Sequence, residues 1–303
     1  MKKILIATAI ALAASASFAA DGVTVYGKLR VYEESYKLGT AKAVSQVTDS
    51  DSRIGFKASE DLGNGLKATA VMETSVVADS PNTGAATQLG NRQTLVGLSA
   101  SVGSVELGRA KHAIGRALDS YDVFGNAAFS STTVVNASQG QRVSNAAFVT
   151  ANVAKGVSVS FQRGESEVLG APATLASSLD IAIAGVNATI ARYNNDAGNS
   201  STLVAGKYTL AQTGSTVSVI HSDNHVGAVH TVGNTVGLSQ AIGKTPFTAL
   251  ASYGKNSQVK ATDLGVDYAL SKRTILLARY IKETNVVSAK NLQRVAVGMD
   301  MNF

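Results

Sequence analysis

The residues best suited to chemistry lie in one short polar stretch, HSDNHVGAVH. It places three histidines and one carboxylate close together: His221, Asp223, His225 and His230. Imidazole nitrogens and carboxylate oxygens are common ligands of zinc and related metal ions. The stretch has the composition of a long exposed connection, however, and an ordinary polar loop tip accounts for the same residues. We favour the loop tip, so the sequence predicts no metal site.

Two other chemical motifs are also weak. The tripeptide Gly-Lys-Thr at 243–245 is not part of a phosphate-binding loop, because Leu238 stands where the first glycine of that motif belongs. Pro246 follows at once, which suits a turn better than the start of a helix. A hydrolase would need a nucleophile with a base nearby, and no serine–histidine or aspartate–histidine pair has a recognisable spacing. The sequence therefore predicts neither an enzyme nor a cofactor.

The N-terminus, MKKILIATAIALAASASFAADG, has the three parts of a secretory signal peptide. Two lysines give the charged start, an apolar run follows, and Ser17 and Ala19 are the small residues that precede a cleavage site. A membrane anchor would need about 20 apolar residues, more than this run supplies. We therefore predict a signal peptide at 1–19 and an exported domain at 20–303.

Composition limits the class of the exported domain. The chain has 303 residues, of which 45% are hydrophobic, with 28 glycines, 3 prolines and no cysteine. Without disulfides, a large exported fold must be held together by its own hydrogen bonds and burial. No later segment offers 18 consecutive apolar residues, so no transmembrane helix is predicted. The formal net charge of +6, which falls to +4 without the two lysines of the leader, is too small to indicate nucleic-acid binding.

Alternation of apolar and polar residues recurs through the rest of the chain. The last nine residues, VAVGMDMNF, put apolar side chains at every odd position from Val295 to Phe303, and VTVYGKLRV near the other end alternates in the same way. A period of two is typical of a β-strand with one apolar face, and helical spacing is not sustained anywhere outside the leader. Because the termini of soluble domains usually fray into water, this ending favours a closing strand whose odd-numbered side chains face lipid.

Short turns and longer polar connections alternate along the chain. Seven short turns, such as DLGNGL at 61–66, carry the residues that tight hairpins need, and eight longer segments separate them, including 111–141 and 221–230. These connections imply about sixteen strands, an even number typical of transmembrane β-barrels, and they bring both termini to the short-turn end, where the first and last strands can pair. A soluble β-sandwich or repeat array explains the pattern within strands but not the alternation of turn lengths.

Six segments make the sequence similar to the Gram-negative general porins, and most of all to the trimeric β-proteobacterial type. They are VTVYGKL, SRIGFKASEDLGNGLKA, NRQTLVGLSASVGSVELGRA, YDVFGN, DYALSKRTILLARYI and the final MNF, and they are spread over nearly the whole exported domain. The resemblance implies an all-β fold, a transmembrane antiparallel barrel of about sixteen strands. It also implies a homotrimer and a long third loop that folds inward and narrows each pore.

The resemblance further implies where the pore is narrowest. In that family a basic cluster on early strands faces acids on the inward loop, and by motif position the cluster maps onto Lys28, Arg53, Arg92 and Arg142. The alternation agrees for Lys28 and Arg53, each opposite the apolar face of its strand, and Arg30 shares that lumen face one pleat further on. Ordinary solvated side chains are the alternative, but four at matching positions favour a pore wall.

The inward loop should be the longest connection, KHAIGRALDSYDVFGNAAFSSTTVVNASQG. It is longer than structureless loops usually are, which suggests a function. Its only acids are Asp119 and Asp122, which we expect to face the basic wall. Where many porins have Pro-Glu-Phe-Gly, this chain reads DVFG, so Val123 replaces the glutamate. Arg116 and Lys111 add positive charge, and the balance predicts a preference for anions.

The sequence thus predicts an outer-membrane channel for the passive diffusion of small hydrophilic solutes. Its expected partners are further copies of itself, outer-membrane lipid and lipopolysaccharide, and the barrel assembly machinery, whose signal the terminal Phe303 resembles. The alternative is a closed-lumen outer-membrane barrel that acts as an adhesin or a surface enzyme. Conductance in a bilayer distinguishes the two, because only an open lumen passes current.

Overall fold

Seventeen strand segments dominate the computed structural model, which describes residues 22–79, 88–125, 129–136, 142–166, 173–195, 197–285 and 291–303. The predicted signal peptide at 1–19 lies outside these residues. The segments in chain order are β1 (Val23–Leu38), β2 (Val44–Asp49), β3 (Arg53–Gly63), β4 (Leu66–Ser75), β5 (Gln93–Ala100), β6 (Gly103–Lys111), β7 (Arg142–Ala154), β8 (Val157–Gly164), β9 (Thr174–Ile183), β10 (Val186–Asn195), β11 (Ser200–Leu210), β12 (Ser215–Val226), β13 (Val229–Ala241), β14 (Phe247–Lys255), β15 (Val259–Ala269), β16 (Thr274–Asn285) and β17 (Asn291–Asn302).

All of these segments belong to one antiparallel sheet that closes on itself. β1 pairs with β17, from Lys28 opposite Asn302 to Leu38 opposite Leu292. On its other side β1 pairs with both β2 and β3, so these two segments are the two halves of one strand of the barrel, here called a stave, which is interrupted at 50–52. The segments therefore form sixteen staves, and the predicted closed barrel of about sixteen strands is confirmed. Closure pairs both edges of the sheet, as a membrane-spanning sheet requires.

The outer surface of the barrel is apolar, as the alternation predicts. On β17 the side chains of Val295, Val297 and Met301 are exposed, whereas Ala296 and Asp300 are buried on the lumen side. Val297 is 60% exposed and Ala296 is 2% exposed. An outward apolar face next to a polar interior is the pattern of a barrel whose strands meet lipid.

The last residue closes the seam between the first and last strands. Phe303 donates its backbone N–H to the carbonyl of Gly27 at 3.1 Å, and its own carbonyl accepts from the N–H of Gly27 at 2.8 Å. The ring of Phe303 lies over Gly27, in the space that a side chain at that position would fill. Gly27 has the same parity on β1 as Val25, whose side chain is exposed on the outer face. The ring of Phe303 therefore lies on the outer face.

The connections at one end of the barrel are shorter than the sequence predicted. The segment 221–230, expected to be a long loop, is a hairpin in which β12 runs to Val226 and β13 starts at Val229. Two further connections are also shorter than predicted. One comprises 196–199 where 194–201 was expected, and the other comprises 256–258 where 254–260 was expected. Polar residues can continue these strands because a strand that rises beyond the apolar band has water, not lipid, on its outer face.

The connection between β6 and β7 carries two helices, α1 (Ala113–Tyr121) and α2 (Ser131–Val135), although the sequence showed no sustained helical spacing. The buried side chains of Ile114, Leu118 and Tyr121 lie on one face of α1 and pack with inward-facing apolar residues of the barrel, including Leu203. The helix spans only about two and a half turns, too few for its period to stand out in the sequence. Neither of the helices described is long and apolar enough to span a membrane.

Candidate functional site: the charged wall of the lumen

A network of ion pairs lines the lumen beside β3, β4 and β5. Arg92 lies 2.6 Å from Asp51 and 2.7 Å from Glu73. Arg53 pairs with the same Asp51, and its Nε lies 3.5 Å from Glu73. The two arginines and two carboxylates thus balance each other in charge. Such charge-assisted bonds hold a planar guanidinium in a defined orientation, so the cationic groups keep fixed positions on the wall.

Two local backbone features bring these groups together. Asp51 lies in the break between β2 and β3 with a φ of 68°, a left-handed conformation that aspartate tolerates better than most residues. Tyr26 lies across Gly55, its partner on β3, and donates its hydroxyl to Glu73 at 3.1 Å. A side chain at Gly55 would occupy the space of the Tyr26 ring, so the glycine permits this contact.

A second ionic group joins the first and last strands. Asp300 accepts from Arg30 at 2.6 Å through Nη2 and at 2.7 Å through Nε, and it lies 3.3 Å from Nζ of Lys28. Arg30 and Asp300 are direct partners in the register of β1 and β17. Barrel closure therefore creates this group, since the two residues are far apart in the sequence.

Arg142 extends the wall at the start of β7. Its Nε donates to the backbone carbonyl of Arg92 at 2.8 Å. Arg116 of α1 borders the same cavity as Arg142 and donates to the hydroxyl of Ser160 at 2.9 Å. Within the part of the chain that the structure describes, neither Arg142 nor Arg116 forms an ion pair. Their positive charges are therefore not neutralised by direct contact with a carboxylate.

These side chains surround a cavity of 440 Å³ between the wall and α1. Its charged lining consists of six basic and four acidic residues: Lys28, Arg53, Arg92, Lys111, Arg116 and Arg142 with Asp51, Glu73, Glu106 and Asp119. The lining therefore carries a formal excess of two positive charges. Because low-dielectric walls focus the field in a confined space, such an excess raises the local concentration of anions.

The inward helix supplies part of this lining. Arg116 borders this cavity and also a second one of 830 Å³, which reaches the short-turn end of the barrel. Burial lowers the pKa of Arg116, whereas the carboxylates of Asp180 and Glu106 act in the opposite direction; an arginine stays protonated under either influence. Asp119 is paired with Lys111, whose Nζ lies 2.7 Å from both carboxylate oxygens.

Two predicted site residues lie outside the lining of this cavity. Asp122 is buried, and its carboxylate accepts from the hydroxyl of Ser130 at 2.6 Å and from the backbone N–H of Phe124 at 3.0 Å. It therefore shapes the loop between α1 and α2 and does not face the basic wall, contrary to the expectation. Arg30 is held by Asp300 and turns towards Gly125 of the same loop, where a Cβ would lie 3.8 Å from Nη2 of Arg30.

The carboxylates of this wall were not predicted from the sequence. Asp51, Glu73 and Asp300 are the carboxylates that hold the arginines. A signal existed for Asp300, because it alternates with the apolar Met299 and Met301 and so belongs to the lumen face of its strand. The position of Glu73 became clear from its pairing with lumen-facing Gly55. Asp51 gave no such signal, because it lies outside the strands and reaches the arginines through its unusual backbone conformation.

The other side of the lumen anchors the loop, mostly through uncharged groups. Tyr121 of α1 shares a hydrogen bond of 2.9 Å with Thr189 on β10. Asp263 on β15 is a buried carboxylate that accepts from the hydroxyl of Ser252 at 2.5 Å and from the backbone N–H of Ser131 at the start of α2. These contacts fix the loop across the barrel from the charged wall.

A closed sheet with an apolar outer face and a charged, cavity-bearing lumen is the architecture of a transmembrane β-barrel. Residues 7–286 match the family model of the Gram-negative porins. The chain belongs to the Gram-negative porin family and is an outer-membrane protein.

Curated relatives share part of the sequence. Major outer membrane protein P.IB of Neisseria gonorrhoeae is 38% identical over 116 residues, which cover 36% of this chain and 32% of that protein. Outer membrane porin protein 32 of Delftia acidovorans is 36% identical over 134 residues, or 41% of this chain and 36% of that protein. The matching region thus spans about a third of the length of these relatives.

Solved structures share the whole fold. The anion-selective porin from Comamonas acidovorans superposes with a TM-score of 0.80 at 20% identity and covers 93% of this chain and 99% of its own. A complex of Salmonella typhi OmpF with daunomycin gives a TM-score of 0.73 at 15% identity, with 93% and 97% coverage. At these identities the likeness establishes the fold.

Proposed function

We propose that the chain forms a water-filled channel through which small hydrophilic solutes, anions above all, diffuse passively across the outer membrane. The observation that carries this proposal is the positive excess around the cavity between the charged wall and α1. Membership of the porin family supports a channel. The Comamonas porin that shares the fold is described as anion-selective, which supports the sign of the preference.

The selectivity would arise from fixed charges and not from a chemical step. Arg53 and Arg92 are held by carboxylates, so they orient a passing anion without adding net charge to the wall. Arg116 and Arg142, which make no ion pair within the described chain, supply the net attraction. Asp119 borders the cavity on the loop side, but its charge is balanced by Lys111, so Arg116 and Arg142 determine the sign of the field. This mechanism requires no nucleophile and no cofactor.

A bilayer recording tests the proposal. Purified protein is inserted into a planar bilayer under a tenfold potassium chloride gradient, and the zero-current potential is measured. We expect stable channels that pass chloride more readily than potassium. Absence of current would favour the closed adhesin or surface enzyme, whereas a current carried mainly by potassium would show that the positive excess does not control permeation.

We further propose that 1–19 directs export and that Phe303 is recognised by the barrel assembly machinery. The position of Phe303 at the seam, paired with Gly27 and with its ring on the outer face, supports a role in closure. Deletion of Phe303 should reduce the amount of folded barrel in the outer membrane while synthesis and export continue, and Phe303→Tyr should assemble normally. Full assembly of the deletion variant would contradict the proposal.

We also propose that the barrel is a homotrimer surrounded by outer-membrane lipid and lipopolysaccharide. The β5–β6 hairpin exposes a continuous apolar outer face formed by Val96, Leu98, Val105 and Leu107, and its small neighbouring residues permit close approach of another barrel. Chemical cross-linking in native membranes should yield trimers. Recovery of monomers alone would refute this arrangement.

A further inference from the structure

A histidine-rich cluster lies on the outer face of the β12–β13 hairpin, away from the lumen. Asp223 and His225 have the same parity on β12 as Val219, which is exposed on the outer face. His225 lies six residues beyond Val219, which at about 3.3 Å per residue places it roughly 20 Å further along the strand. The cluster therefore lies near the rim opposite the two termini, beyond the outward-facing apolar side chains of β12, Val217 and Val219.

Two imidazoles converge there on one carboxylate oxygen. Nε2 of His225 lies 3.1 Å from Oδ1 of Asp223, and Nε2 of His230 lies 3.0 Å from the same atom. The two rings are stacked with 7° between their planes and 4.1 Å between their centroids. Donor atoms from the three side chains all lie within 4.8 Å of one another. Three potential metal ligands thus lie together in one small volume.

The hairpin holds these ligands in place. His225 and His230 are direct partners across the two strands, a relation that puts Cβ atoms about 4.5–5.5 Å apart. Only 227–228 separate the strands, and Gly227 takes a φ of 56° that a tight turn requires. The N–H of Gly227 donates to the side chain of Asn199 on the neighbouring connection at 2.9 Å, which ties the tip to the rest of the rim.

We propose that Asp223, His225 and His230 bind a divalent transition-metal ion of the zinc class. Zinc bonds of about 2.0–2.1 Å to nitrogen and oxygen put neighbouring ligands of a tetrahedron about 3.3–3.4 Å apart, and the nitrogen–oxygen distances of 3.0 and 3.1 Å are close to this spacing. Two imidazoles and one carboxylate suit zinc better than magnesium or calcium, which take oxygen ligands. Three protein ligands leave the fourth position to water or to an external oxygen ligand.

Binding needs a change of tautomer and a rotation of the two rings, because rings stacked with 7° between their planes direct their Nε2 lone pairs side by side and not at one point. Because a carboxylate only accepts, an imidazole that is hydrogen-bonded to Asp223 through Nε2 carries its proton on that atom. With the ion bound, each ring carries its proton on Nδ1, and the Nε2 lone pair together with the carboxylate oxygen binds the metal. Protons are conserved and no electron transfer is involved. The ion would join β12 to β13 across the turn, so it should also stabilise the hairpin.

The test uses the folded full-length barrel in detergent, purified without a histidine tag and stripped with a chelator. Zinc binding is measured by titration calorimetry, and cobalt substitution reports tetrahedral geometry through its visible absorption. The double variant His225→Gln/His230→Gln removes both imidazoles. His221→Gln is the matched control, because His221 is on the same face of β12 but bonds to Asn234 at 2.9 Å instead of to Asp223. Unchanged single-channel conductance verifies that each variant is folded.

We expect one zinc ion per chain, and an affinity that falls by more than about 100-fold in the double variant, since even outer-shell partners of metal sites contribute about 10- to 100-fold. The His221→Gln control should bind as the wild type does. Zinc should also raise the unfolding temperature of the wild type and of the control but not of the double variant. Equal binding by the double variant, or an equal loss in the control, would overturn the proposal.

Discussion

The two sides of the lumen are built from different side chains. The charged wall comprises Lys28, Arg30, Arg53, Arg92 and Arg142 with the carboxylates Asp51, Glu73 and Asp300. The anchoring wall on β8–β15 holds the inward loop, mainly through hydroxyl groups, among them Ser160, Thr189 and Ser252.

This difference separates two properties of the channel. The anchoring wall fixes the position of the loop mainly with uncharged groups, so under the proposed function it sets the size of the passage. Lys28, Arg53, Arg92 and Arg142 of the charged wall border the cavity, so under the proposed function this wall sets the sign of the ions that enter it. Changes on the charged wall should therefore alter selectivity more than conductance, and changes on the anchoring wall should do the reverse.

The largest effect on selectivity is expected from Arg53→Ser with Arg92→Ser. The cavity lining would change from six basic and four acidic residues to four of each, and Asp51 and Glu73 would lose their guanidinium partners. The zero-current potential in a tenfold salt gradient should move from anion preference towards cation preference. The opposite pair, Asp51→Asn with Glu73→Gln, should strengthen the anion preference. Selectivity that stays at the wild-type value in both variants would show that this cavity is not the selective part of the pore.

Asp263→Ala tests the anchoring wall. It removes the acceptor of the buried Ser131 N–H and of the Ser252 hydroxyl, and an unpaired buried donor costs about 1–3 kcal/mol. The loop should therefore open more often, which raises single-channel conductance and current noise. Thr216→Ala is the control, because its hydroxyl bonds only to Thr209 at the short-turn end, at 2.9 Å, among the hydrogen bonds described. A shift in zero-current potential as large as that of the arginine double variant would contradict the division between the two walls.

Arg116→Gln should have a smaller effect, because it removes one of the two excess positive charges around the cavity. We expect the zero-current potential to move in the same direction as in the arginine double variant, by about half as much. Arg109→Gln is the matched control, since Arg109 bonds to the carbonyl of Asn91 and to Ser144 and does not border the cavity. Equal shifts in the two variants would mean that total charge, and not position, determines selectivity.

The smallest effect is expected from a change in salt concentration, which needs no mutation. Raising the salt concentration from 0.1 to 1 M shortens the Debye length from about 10 to about 3 Å, so the anion preference of the wild type should decline. The conductance of Asp263→Ala divided by that of the wild type should not change with salt concentration, because salt screens buried hydrogen bonds much less than exposed charges. Zero-current potentials at matched concentration ratios measure the anion preference, and single-channel conductances measure the ratio. An anion preference that does not depend on salt would argue against electrostatic selection.

Much of the fold could be read from local sequence. The pleat of a strand gives a period of two wherever one face meets lipid, so VAVGMDMNF predicts a closing strand, and the succession of turns predicts about sixteen staves. The same parity directs Lys28 and Arg53 into the lumen, and both border the cavity. The short helix α1 and the hairpin at 221–230 were missed because neither polar composition nor a two-turn period identifies the local structure.

What the sequence determined by itself was therefore which face of each strand is apolar and which residues point inward. Only the tertiary structure decided how these residues pair. Arg30 meets Asp300 because the first and last strands close the barrel, and Arg92 meets Asp51 because a break in one stave turns a carboxylate inward. Asp122, one of two acids in the loop, accepts a hydrogen bond from Ser130 of the same loop. His225 and His230 become neighbours because they pair across a turn. The physical reason is that alternation depends on neighbours along one strand, whereas ion pairs and metal ligands depend on register, closure and loop packing between distant segments.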